Sequence, residues 1–204
     1  MMKRILISVV AALLTVLANA QTFRYGVTAG LNLNYQHGSD NDYRAGWRAG
    51  LAGQLDLKSC WYMSASLQLD SRSFKSGNYN NEVTSPLYYT STINYLSLPI
   101  HAGYAVPCGE KVKVLFEAGP YFALGLWGKS AAHGVDGKEI ASTKDFDQLG
   151  VERFDCGLGL AVGTELFRHY QLKVGYDFGL TKTRKYDADK CRNSQAYVTL
   201  SYMF

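Results

Sequence analysis

Four cysteines, four histidines and a scattering of paired charges are the residues in this chain that could do chemistry. Cys60, Cys108, Cys156 and Cys191 are too far apart for Cys-x-x-Cys metal ligation, which leaves disulfide formation as their expected chemistry. His37, His101, His133 and His169 share no strand face with a serine and a carboxylate at a readable spacing, so no nucleophilic triad is legible. Asp40-Asn41-Asp42 lacks the glycine and distal glutamate of a calcium loop. We therefore expect no catalytic residues, no metal and no cofactor, and read the chain as a non-enzyme. What remains is charge: Arg24, Arg48, Asp56, Asp70, Lys113, Glu117, Asp155, Glu165, Lys173 and Asp177 all fall on one face of alternating segments.

Those segments have period two. Phe23, Tyr25, Val27, Ala29, Leu31, Leu33 and Tyr35 alternate with Arg24, Gly26, Thr28, Gly30, Asn32 and Asn34, which predicts a strand with two chemically opposite faces. Seven more segments follow the pattern: 47–57, 61–69, 96–104, 112–126, 154–166, 170–180 and 196–204. The apolar face carries no charged residue along its whole length, whereas the other face holds the ten ions and nearly all the strand glycines. Alternation alone does not orient the faces, because a lipocalin-like barrel would turn its apolar face inward around a ligand. Three features turn it outward. Aromatics cluster at the ends of the apolar stripes, as in membrane girdles. Glycines sit beside the ions, where a narrow lumen needs room for side chains to cross. Connections alternate short and long: 58–60, 106–110 and 167–169 against 36–45, 73–91, 128–151 and 182–194.

The expected fold is all-β: an eight-stranded antiparallel up-and-down transmembrane β-barrel with short periplasmic turns and long extracellular loops. Its lumen is filled by side chains and is not an open pore. If the first short turn centres near Ser59, Arg48 faces Asp70 across the lumen wall. Glu165 and Lys173 should similarly meet across the 167–169 turn, both pairs compensating charge. An alternative reading, a barrel enzyme acting on lipid or peptide, should show polar catalytic groups on the apolar wall, where Thr164 is nearly the only polar residue.

The N-terminus carries Lys3 and Arg4, then an apolar run from Ile5 to Leu17, then Ala18-Asn19-Ala20, the layout of a cleaved export signal over residues 1–20. The barrel then occupies 21–204. Without Lys3 and Arg4 the 21 basic residues become 19 against 17 acidic ones, a net charge of +2 that gives no reason to expect nucleic acid. Export permits disulfides, and rim positions favour Cys60–Cys108 and Cys156–Cys191, provided their Cα atoms lie within about 7 Å.

Tyr95-Leu96-Ser97-Leu98-Pro99-Ile100, Glu117-Ala118-Gly119-Pro120-Tyr121, Gly157 to Gly163 and the ending Tyr202-Met203-Phe204 resemble the outer-membrane β-barrel domain family common in Bacteroidetes, often called PorT-like. The resemblance spans the mature chain and implies a Gram-negative outer-membrane location. Some members are linked to secretion and gliding machinery, so it also implies a possible accessory role in a secretion complex. Val198, Leu200, Tyr202 and Phe204 resemble the terminal signal read by the barrel-assembly machinery. Partners expected are outer-membrane lipid, that machinery during biogenesis, and a surface or secretion-complex protein. The Tyr-, Asn- and charge-rich long loops suit a surface-interaction role.

Overall fold

The computed structural model describes residues 22–37, 41–77, 88–134, 138–144, 151–182 and 192–204. No helix among them is long and apolar enough to cross a membrane; all the regular elements are strands. In chain order they are β1 (Thr22–His37), β2 (Asn41–Asp42), β3 (Arg44–Asp56), β4 (Trp61–Gly77), β5 (Tyr88–Pro107), β6 (Val112–His133), β7 (Glu139–Thr143), β8 (Phe154–Leu166), β9 (Tyr170–Gly179) and β10 (Arg192–Met203). Eight of these form a ring: β4, β3, β1, β10, β9, β8, β6 and β5 pair in that order, and β5 pairs back onto β4. Every pairing is antiparallel. Closure leaves no sheet edge, which is what a wall in hydrocarbon requires of its backbone. The short β2 and β7 lie at the long-loop end, β2 on β4 and β7 on β6.

Burial follows the alternation. On β1, Phe23, Tyr25, Val27, Leu31 and Leu33 face outward while Thr28, Asn32 and Asn34 are buried inside. Leu31 is 69% exposed and Asn32 only 1%. The same inversion holds on β8 to β10, where Leu158, Leu160, Leu172, Val174, Val198 and Leu200 are exposed and Asp155, Glu165, Gln171, Asp177 and Thr199 are buried. A water-soluble fold would do the reverse. At the short-turn end, aromatics form a collar: Trp61 meets Tyr104 edge-on at 5.1 Å, and Tyr25, Phe204, Tyr202 and Tyr170 make a chain of ring contacts across the β1/β10/β9 seam.

Two short turns use left-handed backbone at non-glycine residues, Ser59 and Cys60 in one, Phe167 and Arg168 in the other. Two adjacent left-handed positions give a tight hairpin whose twist matches that of its strands. The ladder is interrupted on both sides of β5. Pairing skips 66–67 against 98–99 and 100–101 against 119–120, where Pro99 and Pro120 have no N–H to give.

All four of the expected long connections are partly strand. β4 continues to Gly77 against a β5 that starts at Tyr88, and β6 runs to His133 and pairs with β7. Beyond the apolar band the outward face is no longer continuously apolar, so hydropathy alternation fades while backbone pairing persists. Cross-strand hydroxyl contacts at 3.0 Å, Ser73 with Thr92 and Ser91 with Ser130, replace the apolar pairs. Here the buried face also turns partly apolar, with Ile93, Tyr95, Tyr121, Ala123 and Val151 forming a small cluster inside the upper barrel.

Candidate functional site

The strands aim their polar face at a narrow lumen, and the charged groups there segregate into layers. The densest lies toward the long-loop end. Register sets Arg48 of β3 directly opposite Asp70 of β4, and Arg48 Nη2 stands 3.5 Å from Asp70 Oδ2 and 3.2 Å from Asp177 Oδ2 of β9. Arg72, two residues beyond Asp70 on the same face, donates from Nε to Asp70 Oδ2 at 3.0 Å and from Nη1 to Asp155 Oδ2 of β8 at 2.6 Å. Gln195 of β10 donates to both Asp70 and Asp177 at 3.1 and 2.9 Å, and Asn32 donates to Asp70 Oδ1. Each guanidinium also lies over an aromatic ring, Arg48 at 4.1 Å from the Tyr197 centroid and Arg72 at 4.6 Å from Tyr95. Two cations and three carboxylates thus tie four strands together, β3, β4, β8 and β9, with only about 10 Å³ of free space among them.

A second layer centres on Glu117 of β6. It accepts from Lys173 Nζ at 2.7 Å and from the Tyr62 hydroxyl at 3.0 Å, and it faces His101 Nδ1 at 3.5 Å. The third, nearest the short turns, joins Arg24 to Glu165 at 2.9 Å and to Asp56 at 3.3 Å, with Lys113 3.4 Å from Glu165. Gln171 bridges Glu165 and Gln54, both at 2.8 Å. Taken together the layers hold Arg24, Arg48, Arg72, Lys113 and Lys173 against Asp56, Asp70, Glu117, Asp155, Glu165 and Asp177, near-complete compensation without counterions.

The expected Glu165–Lys173 pair does not form. Glu165 registers with Gln171, and Lys173 with Gly163, because the hairpin pivots about a turn that offsets the two charges by one same-face step. Lys173 reaches across the lumen to Glu117 instead. Nor do Cys60 and Cys108 join: both are free and exposed, and Cys156 is free too. Cys60 accepts a backbone bond from Ala105, which leaves Cys108 three residues further along, roughly 10 Å at strand rise and beyond disulfide reach. Cys191, its proposed bond to Cys156 and the expected leader at residues 1–20 lie outside the described residues. Val198, Leu200, Tyr202 and Phe204 all face outward at the β1/β10 seam, where the Phe204 N–H donates to the Tyr25 carbonyl at 2.8 Å.

Arg72 is the residue that pattern reading missed. Apolar alternation on the third segment stops at Leu69 because the next outward residue is Ser71, yet one more step of period two places Arg72 inside. Tyr62, Tyr121 and Gln195, which complete the layers, gave no signal stronger than lying on the lumen face. Thr164, the polar residue on the outer wall, donates to the Lys113 carbonyl at 3.2 Å and so exposes no spare donor to lipid. Among the described residues no three His, Cys, Asp or Glu side chains converge as metal ligands. In β7, beyond the apolar band, Glu139 is held below the usual carboxylate range by hydrogen bonds from Lys129 and Ser142.

A closed ring of eight strands, greasy outside and ionic within, matches one known family along most of its length: the outer membrane protein beta-barrel domain, over residues 19–185. The chain belongs to that family. As an outer-membrane barrel it resides in the outer membrane, with the short-turn end periplasmic and the long-loop end extracellular by the asymmetry such barrels show. Among solved structures it is similar to OprG from Pseudomonas aeruginosa, at 9% identity and a TM-score of 0.50, covering 91% of this chain and 98% of that one. It is also similar to Ail of Yersinia pestis, crystallised with the heparin analogue sucrose octasulfate, at 13% identity, a TM-score of 0.46 and coverage of 90% and 100%. Neisserial surface protein A aligns at 12% identity, a TM-score of 0.45 and coverage of 89% and 97%. No curated protein sequence matches the chain. At these identities the likeness concerns the fold alone.

Proposed function

We propose that this outer-membrane barrel is a closed, monomeric structural or surface-interaction protein that acts through its extracellular loops and catalyses no reaction. The observation that carries this reading is the Arg48–Arg72 layer, whose ion pairs tie four strands across the lumen around about 10 Å³ of free space and so support a barrel closed to solutes. Function is then left to the outward-facing ends, where β4, β5 and β6 project past the apolar band. Export by the 1–20 leader, cleavage before Gln21 and delivery through the 198–204 strand to the barrel-assembly machinery complete the proposal, and outer-membrane lipid is its permanent partner. Protease treatment of intact cells should cut within the long loops and spare the barrel; loops protected on intact cells but cut in permeabilised ones would overturn the orientation.

A second reading, an accessory role in a PorT-like secretion complex, is favoured by the periplasmic mouth. A vestibule of about 280 Å³ there, lined by Asp56, Trp61, Tyr62, Lys113, Glu165 and Arg168 among others, is large enough to seat a partner's side chain. Affinity purification from detergent-solubilised membranes separates the two. A stoichiometric secretion component would favour the accessory role, and a barrel recovered alone would favour the freestanding one.

A further inference from the structure

Between the Arg48 layer and the periplasmic partition made by Gln54 and Gln171 lies a separate chamber of about 50 Å³. Three polar atoms on its lining residues have no protein partner: Arg48 Nε, Gln68 Oε1 and His101 Nε2. Their residues are 5%, 6% and 4% exposed, so bulk solvent does not satisfy them. A buried donor or acceptor left unpaired is destabilising, and three on residues lining one cavity point to an occupant.

The chemistry of the lining narrows that occupant. Arg48 Nε–H can only donate, the Gln68 carbonyl oxygen can only accept, and His101 Nε2 does one or the other according to its tautomer. An anion would suit the first and be repelled by the second, and the cations here are already matched, Arg48 by Asp70 and Asp177, Lys173 by Glu117. A cation would suit Gln68 and an accepting His101 Nε2 but be repelled by the Arg48 guanidinium on the same lining. A guest that both donates and accepts satisfies all three. Thr28, Ser64, Ser66, Thr199 and Ser201 on the same lining add hydroxyls of equal versatility. At about 10–15 Å³ of such volume per water, the chamber holds roughly three to five molecules.

We infer that this chamber is a built hydration site, a fixed cluster of three to five waters that links the Glu117–His101–Lys173 layer to the Arg48 layer. It is a structural ligand of the barrel, held in place by groups that the ion pairs leave over. A crystal structure of the detergent-purified full barrel at better than about 2 Å, with a parallel bromide soak, tests this. Expected are discrete solvent peaks within about 3.2 Å of Arg48 Nε, Gln68 Oε1 and His101 Nε2, with no anomalous signal in the chamber. The Gln68→Met variant should lose the peak beside residue 68 and keep the one beside Arg48. An anomalous bromide peak would assign the chamber to an anion. A chamber without density, or one closed by direct contacts among the three atoms, would also overturn the inference.

Discussion

Replacing Arg72 by methionine tests whether the ionic layer holds the barrel together. Methionine approximates the length of the arginine stem, so the change removes charge and hydrogen bonds more than volume. Arg72 is 1% exposed and bonds Asp70 and Asp155 at 3.0 and 2.6 Å. Asp70 keeps Arg48, Gln195 and Asn32, but Asp155 keeps only the Tyr121 hydroxyl at 3.3 Å and the Thr181 hydroxyl at 2.7 Å. Asp155 thus becomes a buried carboxylate without a cation, and breaking such a pair from one side costs about 3–5 kcal/mol. With a urea slope of about 1–3 kcal/mol/M, the unfolding midpoint of Arg72→Met should fall by at least about 1 M. The assay is tryptophan fluorescence in detergent or lipid, checked by heat-modifiable gel mobility. Adding Asp155→Asn removes the stranded charge, so the double variant should regain about 2 kcal/mol over Arg72→Met. Lys129→Gln, which breaks a solvent-screened pair with the exposed Glu139, should leave the midpoint nearly unchanged. A midpoint shift below about 0.5 M for Arg72→Met, or a double variant no more stable than the single, would refute the layer's role.

Leu31→Arg places a charge on the lipid wall and should lower stability by about 2–4 kcal/mol in vesicles, with Leu31→Val nearly silent; equal behaviour of the two would mean the wall is not in lipid. Purified under non-reducing conditions, Cys60 and Cys108 should both take up maleimide in the folded state, whereas an intact mass two hydrogens short that maps to these residues would restore their disulfide. In planar bilayers the protein should give no stable conductance steps, and reproducible steps at neutral pH would contradict a filled lumen. Gly103→Ala would set a methyl 2.3 Å from the Tyr62 ring and displace it from Glu117, a cost of about 1–3 kcal/mol in the same urea assay; an unchanged midpoint would show that the ring has room to move.

The barrel wall was legible because hydrocarbon tolerates no exceptions. Every outward position of the eight segments is free of charge, so counting by twos recovers strand, face and ring order. The Arg48–Asp70 contact follows from the same count, since a tight turn fixes register for every residue behind it. Glu165 and Lys173 show where that ends: a displacement of one same-face step, too small to see in composition, sends Lys173 to Glu117 on another strand. Contacts across the lumen depend on barrel diameter and strand stagger, which no local pattern encodes. Arg72 was hidden for another reason. It lies just past the apolar band, where the serine beside it ends the hydropathy signal though the strand continues for several residues.

Among the described residues that continuation gives a lopsided profile. Gly77 lies seven residues past Asp70, so allowing for strand tilt the β4–β5–β6 side climbs roughly 15–20 Å above the level of the ionic layer. The opposite rim, from β9 to β10, has no comparable rise among the described residues. A visitor approaching from outside the cell would meet a stiff parapet on one flank before reaching the bilayer. A partner bound there would be held away from the headgroups, on hydrogen-bonded backbone that has little freedom left to lose.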